Sequence, residues 1–234
     1  MGVSTVVFPS TFNASANDLL ELIDYRRAEF YEERDAIFRL RYDCYMRERA
    51  IETNRTQRLT DKYDDSAWIF GLCIDGRLVS AIRISVATRN SPALPALETY
   101  PDHLMPLLDA GMTIVEPSRF VVDQSSMRNH PKLAYMTARL GWLAGEYFNA
   151  DLILAACRLE HQAFYKRTYG YRPVCGLRPY LQLTTPLSLM VLDYHVQKDD
   201  VHRRYPFFRS TFFERRMLFE RSTETQRPAA SAAA

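Results

Sequence analysis

Residues Thr113–Asp123, read TIVEPSRFVVD, set a carboxylate, a hydroxyl and a guanidinium inside a short apolar run. The run has the length and β-branched content of a strand buried within a sheet. A buried polar group without a partner costs about 1 to 3 kcal/mol, and an isolated charge costs far more. Glu116, Ser118 and Arg119 therefore either belong to a structural ion pair on an edge strand or mark a site. Strand alternation puts Glu116, Ser118 and Phe120 on one face and Pro117, Arg119 and Val121 on the other, unless a bulge intervenes. So many polar groups in four residues favour a site.

On the C-terminal side of this strand, Asn129-His130-Pro131 opens a helix, because proline suits a first turn. Leu133, Met136, Leu140, Leu143 and Tyr147 form its apolar stripe, and Gly141 and Gly145 let another element come close. Each glycine costs roughly 1 kcal/mol in helix propensity. Asp151–Cys157, DLILAAC, reads as a strand buried on both faces. A helix over Glu160–Thr168 ends at Gly170, and two strands fit 178–184 and 187–194 on either side of Thr185-Pro186.

On the N-terminal side, residues 90–112 hold prolines at 92, 95, 101 and 106 and form an irregular crossing with one short helix. Trp68–Ile74 and Arg77–Ser85 flank Asp75-Gly76, the signal of a tight antiparallel hairpin. Residues 54–66, containing TDKYDD, are a polar loop. From Asp18 the pattern is helical, with Ile37, Leu40, Cys44, Tyr45 and Ile51 spaced by threes and fours. The order predicts an α/β fold with a mixed sheet flanked by helices and a strand–helix–strand unit at its centre. A ligand belongs beyond the carboxyl ends of the strands starting at 113 and 151.

The chain has 234 residues, 47% hydrophobic and 25% charged, which suits one sizeable core with terminal decoration. Residues 1–17 read as a flexible arm, 18–200 as the domain, 201–221 as a basic aromatic segment and 222–234 as a disordered tail. A formal charge of +2 gives no reason to expect a nucleic-acid partner. Cys44, Cys73, Cys157 and Cys175 lack metal-ligand spacing and read as reduced core thiols of a cytoplasmic protein, with no metal site. No apolar stretch reaches the roughly 18 residues that span a bilayer, and MGVSTVVFPSTF shows no secretory pattern.

Several residues outside the polar strand carry chemistry. Arg83 interrupts the apolar strand LVSAIRIS and so faces either a carboxylate or a cleft. Arg41, one turn before Tyr45, and Asp61, Asp64 and Asp65 are solvated in the simplest reading; together with Arg83 they can also form an ion-pair network beside a cleft. Tyr165 near a helix end is either a core tyrosine or a proton donor. The linker QSSMRNH after Asp123 holds no glycine, so no Gly-rich turn is expected to cradle a pyrophosphate. Arg128, Lys132 and Arg139 remain available for one phosphate or an acidic protein surface.

This set (Arg41 with Tyr45, DKYDD at 61–65, Arg83 after the hairpin, EPSRF at 116–120) resembles the acyl-homoserine lactone synthases. It is more similar still to their relatives, the long-chain N-acyl amino acid synthases of the Gcn5-related N-acetyltransferase (GNAT) superfamily. FYKRTYGYRP also resembles the GNAT helix-then-glycine signature, and the likeness covers roughly residues 30–195. It implies a GNAT-like sheet with splayed central strands, and transfer of a long-chain acyl group from acyl carrier protein to the amine of an amino acid. It implies that Glu116 assists amine deprotonation, with Tyr165 protonating the departing thiolate. Arg41, Tyr45, Asp61, Asp64, Arg83, Ser118, Arg119 and Phe120 would line or shape the substrate side, and Arg128, Lys132 and Arg139 would meet the carrier. No permanently bound cofactor is implied, only the acyl-phosphopantetheine donor. Tyr45 replaces the phenylalanine common in lactone synthases, which sets the S-adenosylmethionine-dependent reaction second. A non-catalytic ligand-binding module is the alternative from another class.

The segment VHRRYPFFRSTFFERRMLFER, 201–221, has six arginines against two glutamates with five interleaved phenylalanines. It either packs on the domain or a second subunit, or lies on an anionic membrane surface.

Overall fold

The computed structural model describes residues 10–221. Helix α1 (Ser10–Leu22) leads into β1 (Asp24–Arg27) and α2 (Tyr31–Arg47). The hairpin β2 (Trp68–Ile74) and β3 (Arg77–Ala87) follows, then α3 (Pro95–Thr99), α4 (Pro101–Asp109) and β4 (Ile114–Val122). Next come α5 (Gln124–Asn129), α6 (Leu133–Tyr147), β5 (Leu152–Cys157), α7 (Gln162–Tyr169), β6 (Arg172–Arg178) and β7 (Leu187–Asp193). Helices α8 (Tyr194–Arg204) and α9 (Phe212–Phe219) close the described chain. The strands form one seven-stranded sheet in the order β1-β2-β3-β4-β5-β7-β6, antiparallel except between β4 and β5.

The expected mixed sheet, hairpin and central strand–helix–strand unit are all present. Asp75 and Gly76 take φ of 50° and 75° to make the hairpin turn. Helix α6 packs its stripe of Leu133, Met136, Leu140 and Leu143 fully into the main core. Gly141 lies so close to β4 that a Cβ would sit 2.6 Å from Pro117 Cγ.

Several boundaries differ from the sequence expectation, and residues 90–112 hold two helices, α3 and α4, rather than one. Residues 10–17, expected in a loose arm, begin α1, whose Ala16 and Leu19 are buried; residues 1–9 and the expected tail, 222–234, lie outside the described residues. The helical stretch from Asp18 is broken by β1, where DYRR extends the sheet beyond β2 and the Tyr25 hydroxyl donates to the Met136 carbonyl at 2.8 Å. Helix α2 restarts at Tyr31, its Glu33 carboxylate accepting from the N–H groups of Glu29 and Phe30. The strand expected at 178–184 is instead β6 at 172–178, and 179–186 is an irregular strap: pairing with β7, which local propensity does not encode, sets the register. The segment 201–221 packs on the domain, burying Phe207, Phe208, Leu218 and Phe219 in the main core.

Candidate active site

β4 and β5 pair only at Ile114–Leu152 and Val115–Ile153. β5 is then held by β7 over its whole length, while β4 stays with β3. The two central strands therefore part, and a cavity of about 590 Å³ opens between them. Ser118, Arg119, Phe120, Val121 and Val122 line it from β4, and Ala156 and Cys157 from β5. A small apolar pocket of about 30 Å³, bounded by Pro117, Gly141 and Trp142, shares Phe120 and Tyr165 with this cavity.

A bulge in β4 aims the polar residues. Arg83 pairs with Ser118 and Ala81 with Val121, so β4 carries one extra residue there, and Arg119 takes φ 53°. A non-glycine residue in this region stores strain of order 1 kcal/mol. Asp61 supplies the compensation, accepting from Arg119 Nη2 at 2.7 Å and Nε at 3.2 Å. Arg83 Nη1 also meets Asp61 and lies 3.2 Å from Asp64, while its Nε donates to Ser118 Oγ at 3.0 Å. Arg41 reaches Asp64 at 2.7 Å. Three nearly inaccessible guanidiniums thus share two carboxylates. Burial pushes the Asp61 carboxyl up, but Arg83 and Arg119 overcome this and hold it at about 2. Burial lowers Arg41 to about 10 despite Asp64, and Arg83 and Arg119 add to the repulsion.

Glu116 lies opposite Ser85 on the same face, fully buried. Its carboxylate accepts from the Tyr180 hydroxyl at 2.8 Å and from the Ala96 N–H at 2.9 Å. Burial raises its pKa, while these two donors and Arg83 oppose the shift. Glu116 does not line the cavity; Arg119, three residues on, does.

The family model of the N-acyl amino acid synthase FeeM matches residues 36–193. The chain belongs to the FeeM N-acyl amino acid synthase family. It is an acyltransferase. No curated protein sequence matches it. Among solved structures, FeeM from uncultured soil microbes superposes with TM-score 0.62 at 19% identity, covering 75% of this chain and 94% of that one. The coenzyme A-dependent acyl-homoserine lactone synthase BjaI, solved with MTA, gives 0.56 at 18% identity, covering 78% and 88%. A putative N-acetyltransferase from Lactobacillus plantarum gives 0.51 at 17%, covering 74% and 98%. The last two place the fold among GNAT-like sheets.

Within this FeeM-family frame, the structure brings most of the expected residues together. Arg41, Asp61, Asp64, Arg83, Ser118 and Arg119 form one contiguous cluster. Tyr45 and Phe120 line the cavity, with the Arg119 guanidinium 5.6 Å from the Tyr45 ring centre. Tyr165 also lines it, and burial raises the pKa of its phenol.

The three expected carrier-facing cations part company. Arg128 is exposed at the cavity wall. Lys132 sits 4.8 Å over the Phe12 ring. Arg139 is buried, bonded to Glu214 at 2.6 Å and to the carbonyls of Phe207 and Arg209, so it cannot meet a carrier surface. It ties the C-terminal segment to α6, a contact that the helix's own sequence does not record. Sequence reasoning also missed Tyr180, Arg47, Arg158 and His161. Tyr180 sits in the strap mistaken for a strand. The other three line the cavity from the α2 end and the turn after β5, and only the splay reveals their convergence.

Proposed function

We propose that this chain moves a long-chain acyl group from acyl carrier protein to the amine of an amino acid, giving an N-acyl amino acid. The observation that carries the reading is the parting of β4 from β5 after two residue pairs, with a cavity of about 590 Å³ in the gap. Strand edges left unpaired there suit the amides of a pantetheine arm, which would add to the sheet as an extra strand does. The thioester is then held against the amine, and positioning supplies much of the acceleration.

The cavity's apolar lining, including Phe120, Met127, Phe164 and Leu187, suits an acyl chain, each buried CH₂ contributing roughly 0.8 kcal/mol. The adjoining pocket beyond Phe120 and Tyr165 offers that chain an apolar continuation. Gln124, Met127 and Arg128 line the start of the α5–α6 region where a coenzyme A enzyme of this superfamily would present a Gly-rich turn. That substitution supports a carrier-borne donor, which brings one phosphate and no adenosine pyrophosphate, with Arg128 placed for the phosphate or for the carrier's acidic surface.

In this mechanism Glu116, set behind the cavity wall, draws the proton from the attacking ammonium through an intervening water. The Arg41–Asp64–Arg83–Asp61–Arg119 cluster fixes the bulge and with it the β4 backbone, whose N–H groups stabilise the oxyanion. Tyr165 gives its proton to the departing thiolate as the C–S bond breaks. Thiol release from acyl carrier protein and from acyl-coenzyme A, each with a panel of amino acids, tests the proposal. Amino-acid-dependent thiol release from the carrier supports it; release from neither donor would remove it.

A further inference from the structure

Helix α9 is apolar on two opposite sides. Its inner side buries Leu218 and Phe219, with the Phe219 ring 5.4 Å from that of Phe70 in β2. Its outer side leaves Phe212 65%, Phe213 71% and Met217 66% exposed. The three lie within one and a half turns, and Phe213 and Met217 stack at the helical spacing of four. Folded monomers rarely present several large apolar side chains together unless something covers them.

The helix is held firmly in this pose. Arg139 pairs with Glu214, the Trp68 indole donates to the Phe219 carbonyl at 2.9 Å, and Arg27 Nη1 donates to the Leu218 and Glu220 carbonyls. The outward apolar face is therefore part of the folded state rather than a frayed end. Three and four residues beyond Arg27, Phe30 and Tyr31 are exposed as well.

Charge decides what this face meets. Between 209 and 221 the exposed charges are Arg209, Arg216 and Arg221 against Glu220, an excess of two positive charges: Glu220 pairs with Arg216 at 2.8 Å, Arg221 lies over the Trp68 ring, and Glu214 is half-buried and engaged by Arg139. Arg209 has no carboxylate within ion-pair distance among the described residues. Exposed phenylalanines and a methionine beside a net positive charge suit a surface that is oily below and negatively charged above. We propose that α9 rests on an anionic lipid bilayer, with Phe212, Phe213 and Met217 entering the acyl boundary and Arg209 meeting a lipid phosphate. This contact stands on α9 alone and is independent of the acyl-transfer reading, although a membrane is where an N-acyl amino acid would partition.

Co-sedimentation of the full chain with vesicles tests it, without reference to turnover. Binding is expected to vesicles of mixed phosphatidylglycerol and phosphatidylcholine, and to be at least about tenfold weaker on phosphatidylcholine alone and in high salt. The variant Phe212→Ser/Phe213→Ser/Met217→Ser, altered only at exposed side chains, should lose at least about tenfold in affinity at an unchanged melting temperature. Should that variant not fold, Arg209→Glu must weaken binding to the mixed vesicles in its place. Absence of binding, or binding that neither variant weakens, overturns the proposal. So does a wild-type dimer that the triple variant converts to monomer, which would assign the face to a second copy of the chain.

Discussion

The Tyr180 hydroxyl donates to Glu116 Oε1 at 2.8 Å across a sequence separation of 64 residues. Together with the Ala96 N–H on Oε2, it gives a fully buried carboxylate two donors and no exposed edge. Both donors favour the ionised form, against the burial that disfavours it. Arg83, Asp61, Tyr63 and Tyr100 also act on or feel the Glu116 charge, from β3, the 61–65 loop and the start of α4. Tyr180→Phe removes one donor, so the Glu116 pKa moves further up. The acid limb of kcat/KM should then shift to higher pH. A limb that stays in place would separate Tyr180 from the protonation state of Glu116.

Replacing Glu116 by Gln keeps the shape and an acceptor for Tyr180 while removing the charge. Turnover of acyl donor and amino acid is expected to fall at least about tenfold, as for loss of a general base. The melting temperature serves as the control. Unchanged turnover would take Glu116 out of the reaction.

Asp61 ties acid stability to the site. Its folded pKa of about 2 lies below the ordinary value near 3.9, so its contribution is fully present above that ordinary value. It is lost as pH falls from about 4 towards 2, and amounts to on the order of 2 kcal/mol. Urea unfolding across this window should show that loss. Asp61→Asn should be less stable already at pH 7, because three guanidiniums are then left with one carboxylate, and should show a flatter dependence between pH 4 and 2.

Gly141 and Gly145 sit one turn apart on α6 and differ in what surrounds them. Alanine in a helix is favoured over glycine by about 1 kcal/mol. At Gly141 the new Cβ would meet the Pro117 ring at 2.6 Å, and a proline ring on a central strand has little room to yield. Gly141→Ala should therefore destabilise by about 1 to 3 kcal/mol. At Gly145 the first contact, at 2.7 Å, is the terminal methyl of Ile153, followed by the Tyr194 ring at 3.0 Å, so the cost should be smaller. Thermal melts of the two variants give the order.

Arg139 and Arg128 should behave differently. Arg139→Ala leaves Glu214 and two backbone carbonyls without their donor and should cost about 3 kcal/mol of stability. Arg128→Ala, at an exposed position, should change stability by less than about 0.5 kcal/mol. It should instead raise KM for the carrier-borne acyl donor. Equal melting temperatures for the two variants would contradict the division.

The amino-acid sequence by itself determined the central elements. TIVEPSRFVVD and DLILAAC are readable as buried strands because β-branched and apolar runs of that length have few other uses, and Asp75-Gly76 fixes a hairpin because few dipeptides accept two positive φ angles. It also determined that Glu116, Ser118, Arg119 and Arg83 must find partners, since unpaired polar groups in such strands are too costly to keep. Tertiary structure alone decided which partners they found. The bulge at Arg119 turns its guanidinium to Asp61, and strand alternation cannot register one extra residue. The pairing of Tyr180 with Glu116 depends on where β6 ends, and that is set by register with β7 rather than by local propensity. Arg139 looked like a surface cation because a helix face is assigned by what packs on it, and here the C-terminal segment packs on it. The cavity itself exists because β5 follows β7 while β4 follows β3, a competition between hydrogen-bonded neighbours that no single stretch of chain records.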